Sequence, residues 1–169
     1  MMNWPWLLQW RMSTRQYRLH WSLPLGISAA WLLWPSMDTV LGYLFVLLAH
    51  HAGHHLLARR GGLETTAVDL HGLGGSARYR GTAPHLRHVL AGAGGVLGQM
   101  ALLWLAMLLQ ALMGSAEGDL YNALTTLNLG ILALNLIPSA QTDGSSLWAL
   151  PRALLERMEE RLTYMQIAE

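Results

Sequence analysis

Ala49-His50-His51-Ala52-Gly53-His54-His55-Leu56-Leu57-Ala58 closes a stretch, 39–58, that contains no Asp, Glu or Arg, and it sets four imidazoles within about one and a half helical turns. A helix needs roughly 20 apolar residues to cross the hydrocarbon core of a membrane, and this stretch is about that long. Residues four apart share a face. His50 and His54 can therefore grip one ion, and His51 and His55 form a second such pair on a neighbouring face. Ionisable side chains inside a membrane are costly and turn toward a protein interior or a cavity. The bland alternative is that these rings bond carbonyls or snorkel to the interface.

The rest of the chain agrees with a membrane setting. Its 169 residues fit a single domain, 1–169. Charged residues make up 12% and apolar residues 53%, whereas a soluble domain is about 25% charged. The formal net charge is only +1, so nothing points to a nucleic-acid partner, and every basic residue is Arg. The absence of Cys excludes disulfides and thiolate metal sites, so any metal here must use imidazole and carboxylate donors. Those donors favour zinc over calcium or magnesium. Trp4, Trp6 and Trp10 read as an interfacial anchor, without the charged region and long apolar run of a cleavable signal.

Four windows lack Asp, Glu and Arg: 19–37, 39–58, 88–116 and 120–142. Each is long enough to span. Pro24, Gly26 and Pro35 interrupt the first, while Trp31, Leu32, Leu33 and Trp34 keep it apolar. Arg11, Arg15 and Arg18 precede the first window, Arg59 to Arg87 lie between the second and third, and Arg152, Arg157 and Arg161 follow the fourth. The loops around Asp38 and around Glu117 and Asp119 carry no Arg. The positive-inside rule then makes both termini and the middle loop cytoplasmic, with His50 to His55 toward the cytoplasmic end of the second span.

Within the middle loop, 67–79 reads as a β-hairpin, with Gly72, Gly74 and Gly75 as turn residues. At the C-terminal end, 147–167 mixes Leu, Met and Tyr with Arg and Glu at helical spacing and reads as an amphipathic surface helix. The expected fold is an all-α membrane protein of about four transmembrane helices, with a small cytoplasmic β-hairpin and a C-terminal amphipathic helix.

Two histidines from one helix are too few for a tetrahedral metal site, so a third donor has to come from elsewhere. Asp143 is the best candidate. In Asn135-Leu136-Ile137-Pro138-Ser139-Ala140-Gln141-Thr142-Asp143-Gly144, Pro138 ends a helix and the loop after it can turn Asp143 back toward the second span. Alone, an Asp-Gly pair such as Asp143-Gly144 is more often a plain turn. Asn128 and Asn135, seven apart, share one face of the fourth span, where amides need partners. His71, His85 and His88 read as loop or interfacial residues.

Three stretches together resemble the signature of the site-2 proteases, intramembrane zinc metallopeptidases. The first, 49–59, is similar to a helix bearing H-E-x-x-H with a small residue before the second His. The second, Val68-Asp69-Leu70-His71-Gly72-Leu73-Gly74-Gly75-Ser76-Ala77, resembles a strand, a Gly-Gly loop and a strand. The third, from Asn128 to Gly144, resembles N-x-x-P followed by D-G. They occur in the family's order and span most of the chain from His20 to Leu150. Two departures stand out: His51 replaces the glutamate of H-E-x-x-H, and Ala91-Gly92-Ala93-Gly94-Gly95 lacks a Gly-Pro that relatives often carry there.

The resemblance implies zinc held by His50, His54 and Asp143, with water in an open fourth position. It implies catalysis aided by His51 and Asn135. A neutral imidazole at 51 can accept the water's proton, since His titrates near ~6.5, although it lacks a carboxylate's charge. The amide of Asn135 would hold substrate or the developing oxyanion. The implied substrates are transmembrane segments of other membrane proteins, unwound and captured as an added strand on the hairpin edge. The expected location is the inner or plasma membrane of a prokaryote, with the lipid bilayer as the other partner. Two alternatives stay open: a catalytically impaired pseudoprotease that binds membrane helices, and a His-rich metal-binding membrane protein in which His51 and His55 add a second site. Haem could use the same histidines, but no attachment motif is present.

Overall fold

The computed structural model describes residues 6–114, 118–139 and 142–167; Trp4, Glu117, Ala140 and Gln141 lie outside them. The chain is not all-α. It begins with strands β1 (Trp6–Met12) and β2 (Arg15–His20), where the sequence suggested only an interfacial anchor. Trp6 and Trp10 thus belong to a strand. Trp10 stacks on Tyr17 across the β1–β2 pair at 5.5 Å, and Ser13 at the bend has φ 55. Alternation of Trp, Gln, Arg and Tyr was a strand signal hidden beneath the aromatic content.

Helix α1 (Ser22–Leu33) follows and is 12 residues long, shorter than the window 19–37, because His20 closes β2 and Pro35 bars continuation. Ser36 then caps α2 (Met37–Arg60), accepting from the Thr39 backbone N–H at 3.2 Å. Strands β3 (Glu64–His71) and β4 (Gly74–Arg80) form the expected hairpin with longer arms. His71 pairs with Gly74, so Gly72-Leu73 is the turn and Gly75 belongs to β4. The four-stranded sheet has the order β1-β2-β3-β4, and β2 runs parallel to β3. Arg18 on β2 forms a two-pronged ion pair with Asp69 on β3, with 2.6 Å from Nε to Oδ1, and its guanidinium lies 4.2 Å over the Trp6 ring. Such pairing of distant segments leaves no local trace in sequence.

The window 88–116 is two helices, α3 (His85–Gly92) and α4 (Gly94–Met113), bent at Ala93. Gly114, with φ 68, ends α4. The fourth window is α5 (Asp119–Asn122), a π-helical turn at Ala123–Leu127 and α6 (Asn128–Asn135), and it ends seven residues earlier than the expected 142, at Asn135. Helix α7 (Gly144–Ile167) contains the amphipathic segment.

Among the described residues, α2 and α4 alone are long and apolar enough to cross a membrane. In their most apolar windows only 33% and 17% of residues are buried in the protein. A core helix of a soluble domain would be mostly covered, whereas Trp104 and Leu112 on α4 are 68% and 74% exposed. The covered faces of α2 and α4 meet closely through small residues. A Cβ on Gly53 would strike the Gly94 carbonyl, and one on Gly98 would strike that of Ala49. This small-residue contact lets the two backbones approach closely. Ala30, Tyr43, Val46, Leu47 and Ile131 complete the apolar core.

Gly98→Leu is therefore expected to lower stability by about 1–3 kcal/mol by overpacking, whereas Gly130, where an added Cβ would meet nothing within 4 Å, tolerates Ala without loss. Denaturation in detergent compares the two variants with the parent chain.

Candidate metal centre

His50 and His54 lie one turn apart on the buried face of α2, and both are at most 2% exposed. Asp143 comes from the other end of the chain. Helix α6 stops at Asn135, the chain passes Pro138, and α7 starts at Gly144, packed against the carbonyls of Leu136 and Ile137. The Asp143 carbonyl accepts the first bond of α7, from the Leu147 N–H at 3.0 Å. Its carboxylate turns instead to the start of α4, where the Val96 N–H donates to Oδ2 at 3.0 Å. The positive end of that helix suits a buried carboxylate.

One donor atom from each of His50, His54 and Asp143 lies within 4.8 Å of the others, and this is the one such cluster among the described residues. His54 Nε2 is 3.2 Å from Asp143 Oδ1, and His50 Nε2 is 3.8 Å from Oδ2. Tetrahedral bonds of about 2.0–2.2 Å put neighbouring ligand atoms about 3.3–3.6 Å apart, between the two spacings observed. Gly95 keeps the space open, since a Cβ there would collide with Asp143 Oδ2 and the His50 ring.

The outer contacts fix the rings. His54 Nδ1 donates to the Ala91 carbonyl at 2.9 Å, and the Tyr79 hydroxyl donates to the same oxygen at 3.0 Å. With its proton on Nδ1, His54 turns a lone pair on Nε2 toward Asp143, and that buried nitrogen has no hydrogen-bond partner. Two acceptors facing each other at this range repel unless a positive charge lies between them. A metal ion fits that requirement.

His50 Nδ1 lies 3.2 Å from Gln99 Oε1. Gln99 donates to Asn128 Oδ1 at 3.3 Å, and Asn128 donates back to the Gln99 carbonyl at 3.0 Å. Asn135 donates to Gln99 Oε1 at 3.3 Å and to the Leu73 carbonyl at 2.7 Å, so both its amide hydrogens are engaged. Gln99, Asn128 and Asn135 are all at most 1% exposed, and together they satisfy one another in an apolar interior.

The remaining imidazoles divide. His51 has its ring centre 5.5 Å from that of His50 and its Nε2 3.3 Å from the Gly74 carbonyl. His55 is exposed and, like His51, stands outside the three-residue cluster. His71 closes β3 near the centre; burial, then the His50 and His20 rings, push it down to about 4. His85 pairs with Glu156 on α7 at 2.8 Å, tying α3 to the helix that follows Asp143. Burial, then the Asp143 carboxylate, raise the Tyr79 phenol above its ordinary value. Gln99 and Tyr79 were not anticipated from sequence. An amide among apolar residues was the available sign for Gln99, one it shares with Gln110 on the same helix, whereas Tyr79 had none.

Neither a protein-family model nor a curated protein matches the sequence. Among solved structures, the chain is similar to the Site-2 Protease from Methanocaldococcus jannaschii, at 20% identity and a TM-score of 0.64, over 89% of this chain and 72% of that one. The two share a fold.

Hydrogen bonds that orient metal ligands typically hold 10–100-fold in metal affinity. Gln99→Leu should weaken divalent-metal binding by about that factor, and His55→Ala should leave it unchanged. Competition with a chromogenic chelator measures both.

Proposed function

We propose that this chain is an intramembrane zinc metalloprotease of the site-2 type, which cleaves transmembrane segments of other membrane proteins. The observation that carries the reading is the convergence of His50, His54 and Asp143 in a buried centre, on a fold shared with a site-2 protease. Two imidazoles and a carboxylate suit zinc and leave one position for water. Bound there, zinc would polarise a scissile carbonyl and bring the pKa of its water toward about 7.

The chain's own groups supply orientation. Ala91 and Tyr79 hold His54 in the tautomer that presents Nε2, Gln99 aligns His50, and the Val96 N–H steadies Asp143. Asn135 lies between Gln99 and the hairpin turn, and would have to release one of its two acceptors to hold substrate or an oxyanion. The β4 edge is the place for an unwound substrate segment to add as a strand, because β3 is paired on both sides. In this reading the uncovered apolar faces of α1, α2, α4 and the 119–135 segment meet lipid in four passes of a prokaryotic inner or plasma membrane. The arginine-bearing termini and middle loop lie in the cytoplasm.

A second reading, an inactive relative that binds membrane helices, is favoured by one contact: His51, where the resembling signature has its glutamate, has Nε2 directed at the Gly74 carbonyl. Reconstituted protein with zinc and a model transmembrane substrate separates the two. The protease reading expects cleavage by the parent chain that His50→Ala abolishes. Cleavage seen only after His51→Glu would assign the native chain to the binding class.

A further inference from the structure

The tip of the β3–β4 hairpin carries four consecutive carbonyls, and each faces a different side chain. Tyr43 donates its hydroxyl to Gly72 O at 2.7 Å, and Asn135 donates to Leu73 O at 2.7 Å. His51 Nε2 lies 3.3 Å from Gly74 O, and His50 Nε2 lies 3.1 Å from Gly75 O. The Gly72 N–H is held as well, donating to Ser22 Oγ at 3.1 Å. Irregular backbone buried among apolar helices persists only where protein groups satisfy it in this way.

These contacts differ in permanence. Tyr43 holds its carbonyl with a hydroxyl that no metal would claim, and Asn135 holds its own with one of two amide hydrogens. His50 is different: as a metal ligand it needs the Nε2 lone pair, which cannot also donate to Gly75 O. Once an ion is bound, the bond nearest the centre is lost, and His51 becomes the donor from α2 that still holds the second arm of the hairpin. Shape supports the same role. A Cβ on Gly75 would run into the His51 ring, and Gly74 adopts φ 135, where side chains are strained, with its Cβ position 2.9 Å from His50 Cε1. The Gly-Gly pair and the imidazole occupy complementary space.

We propose that His51 is a positioning residue whose Nε2–H latches the hairpin tip beside the metal centre. A carbonyl only accepts, so Nε2 carries the proton, and the ring's lone pair is on Nδ1. While the latch is closed, the nitrogen at the tip cannot take a proton from water. Opening the hairpin and freeing His51 are then one event. The latch stands on the hairpin contacts; its bearing on catalysis rests on the metalloprotease reading above.

The experiment is hydrogen–deuterium exchange over residues 72–80 of the full chain in nanodiscs, loaded with zinc, for the parent protein and for His51→Gln, His51→Glu and His51→Ala. Gln offers an N–H to Gly74 O and should keep the parent protection. Glu offers only oxygens and should expose the tip, with exchange about 5–30-fold faster, the factor expected for loss of one good buried contact. Ala should match Glu. If Ala does not fold, the Gln and Glu variants, similar in size, decide between them. Parent-like protection in His51→Glu, or exchange in His51→Gln as fast as in His51→Glu, overturns the latch. Zinc content is read on the same samples. Protection that follows the stated order in protein that binds no zinc upholds the latch and counts against the metalloprotease reading alone.

Discussion

Two acceptor atoms face each other in a buried space, His54 Nε2 and Asp143 Oδ1 at 3.2 Å, and much of the molecule is arranged around that confrontation. A carboxylate taken out of water is costly unless it is paired and hydrogen-bonded. Here the Val96 N–H and the start of α4 supply part of the compensation, and a cation held between carboxylate and imidazoles would supply the rest. The geometry of α4 follows from this. Its first turn must come close enough to donate to Asp143, and the Gly53, Gly94 and Gly98 contacts with α2 permit that approach. Gly95 then leaves the volume that the Asp143 carboxylate and the His50 ring occupy.

Around the centre, polar groups form a connected chain instead of scattered pairs. It runs from His50 through Gln99 to Asn128 and Asn135, and from Asn135 to the hairpin turn. In an apolar interior each member is expensive alone and stabilising when satisfied, so the network fixes both ring orientation and hairpin placement. The hairpin is therefore part of the site. Its position is determined by α1 through Ser22, by α2 through Tyr43 and His51, and by α6 through Asn135.

The meeting of His50, His54 and Asp143 was legible because its signals are local or rest on strong stereochemistry. His50 and His54 follow from four-residue spacing on an apolar helix, and Asp143 from a proline that stops one helix and a glycine that opens the next. The hairpin was legible from its glycines. The β1–β2 pair and its parallel join to β3 were not, because that pairing is set by Arg18 meeting Asp69 across the chain, while the Trp-rich start looked like an interfacial anchor. Helix lengths also misled. Charge-free windows measure what lipid tolerates, whereas the chain bends at Ala93, passes through a π-helical turn at Ala123–Leu127 and leaves the helix after Asn135, ahead of Pro138. The role of His51 was open for a related reason: its residue type permits proton transfer, and only the nearby Gly74 carbonyl shows where its proton is used.

X-ray absorption at the zinc edge, on the purified chain in a lipid nanodisc, addresses the centre most directly. The account predicts one zinc per chain with two imidazole nitrogens at about 2.0–2.1 Å and the remaining donors oxygen, an imidazole count that drops in His54→Ala. A zinc shell without imidazole, or one unchanged by that substitution, would contradict it.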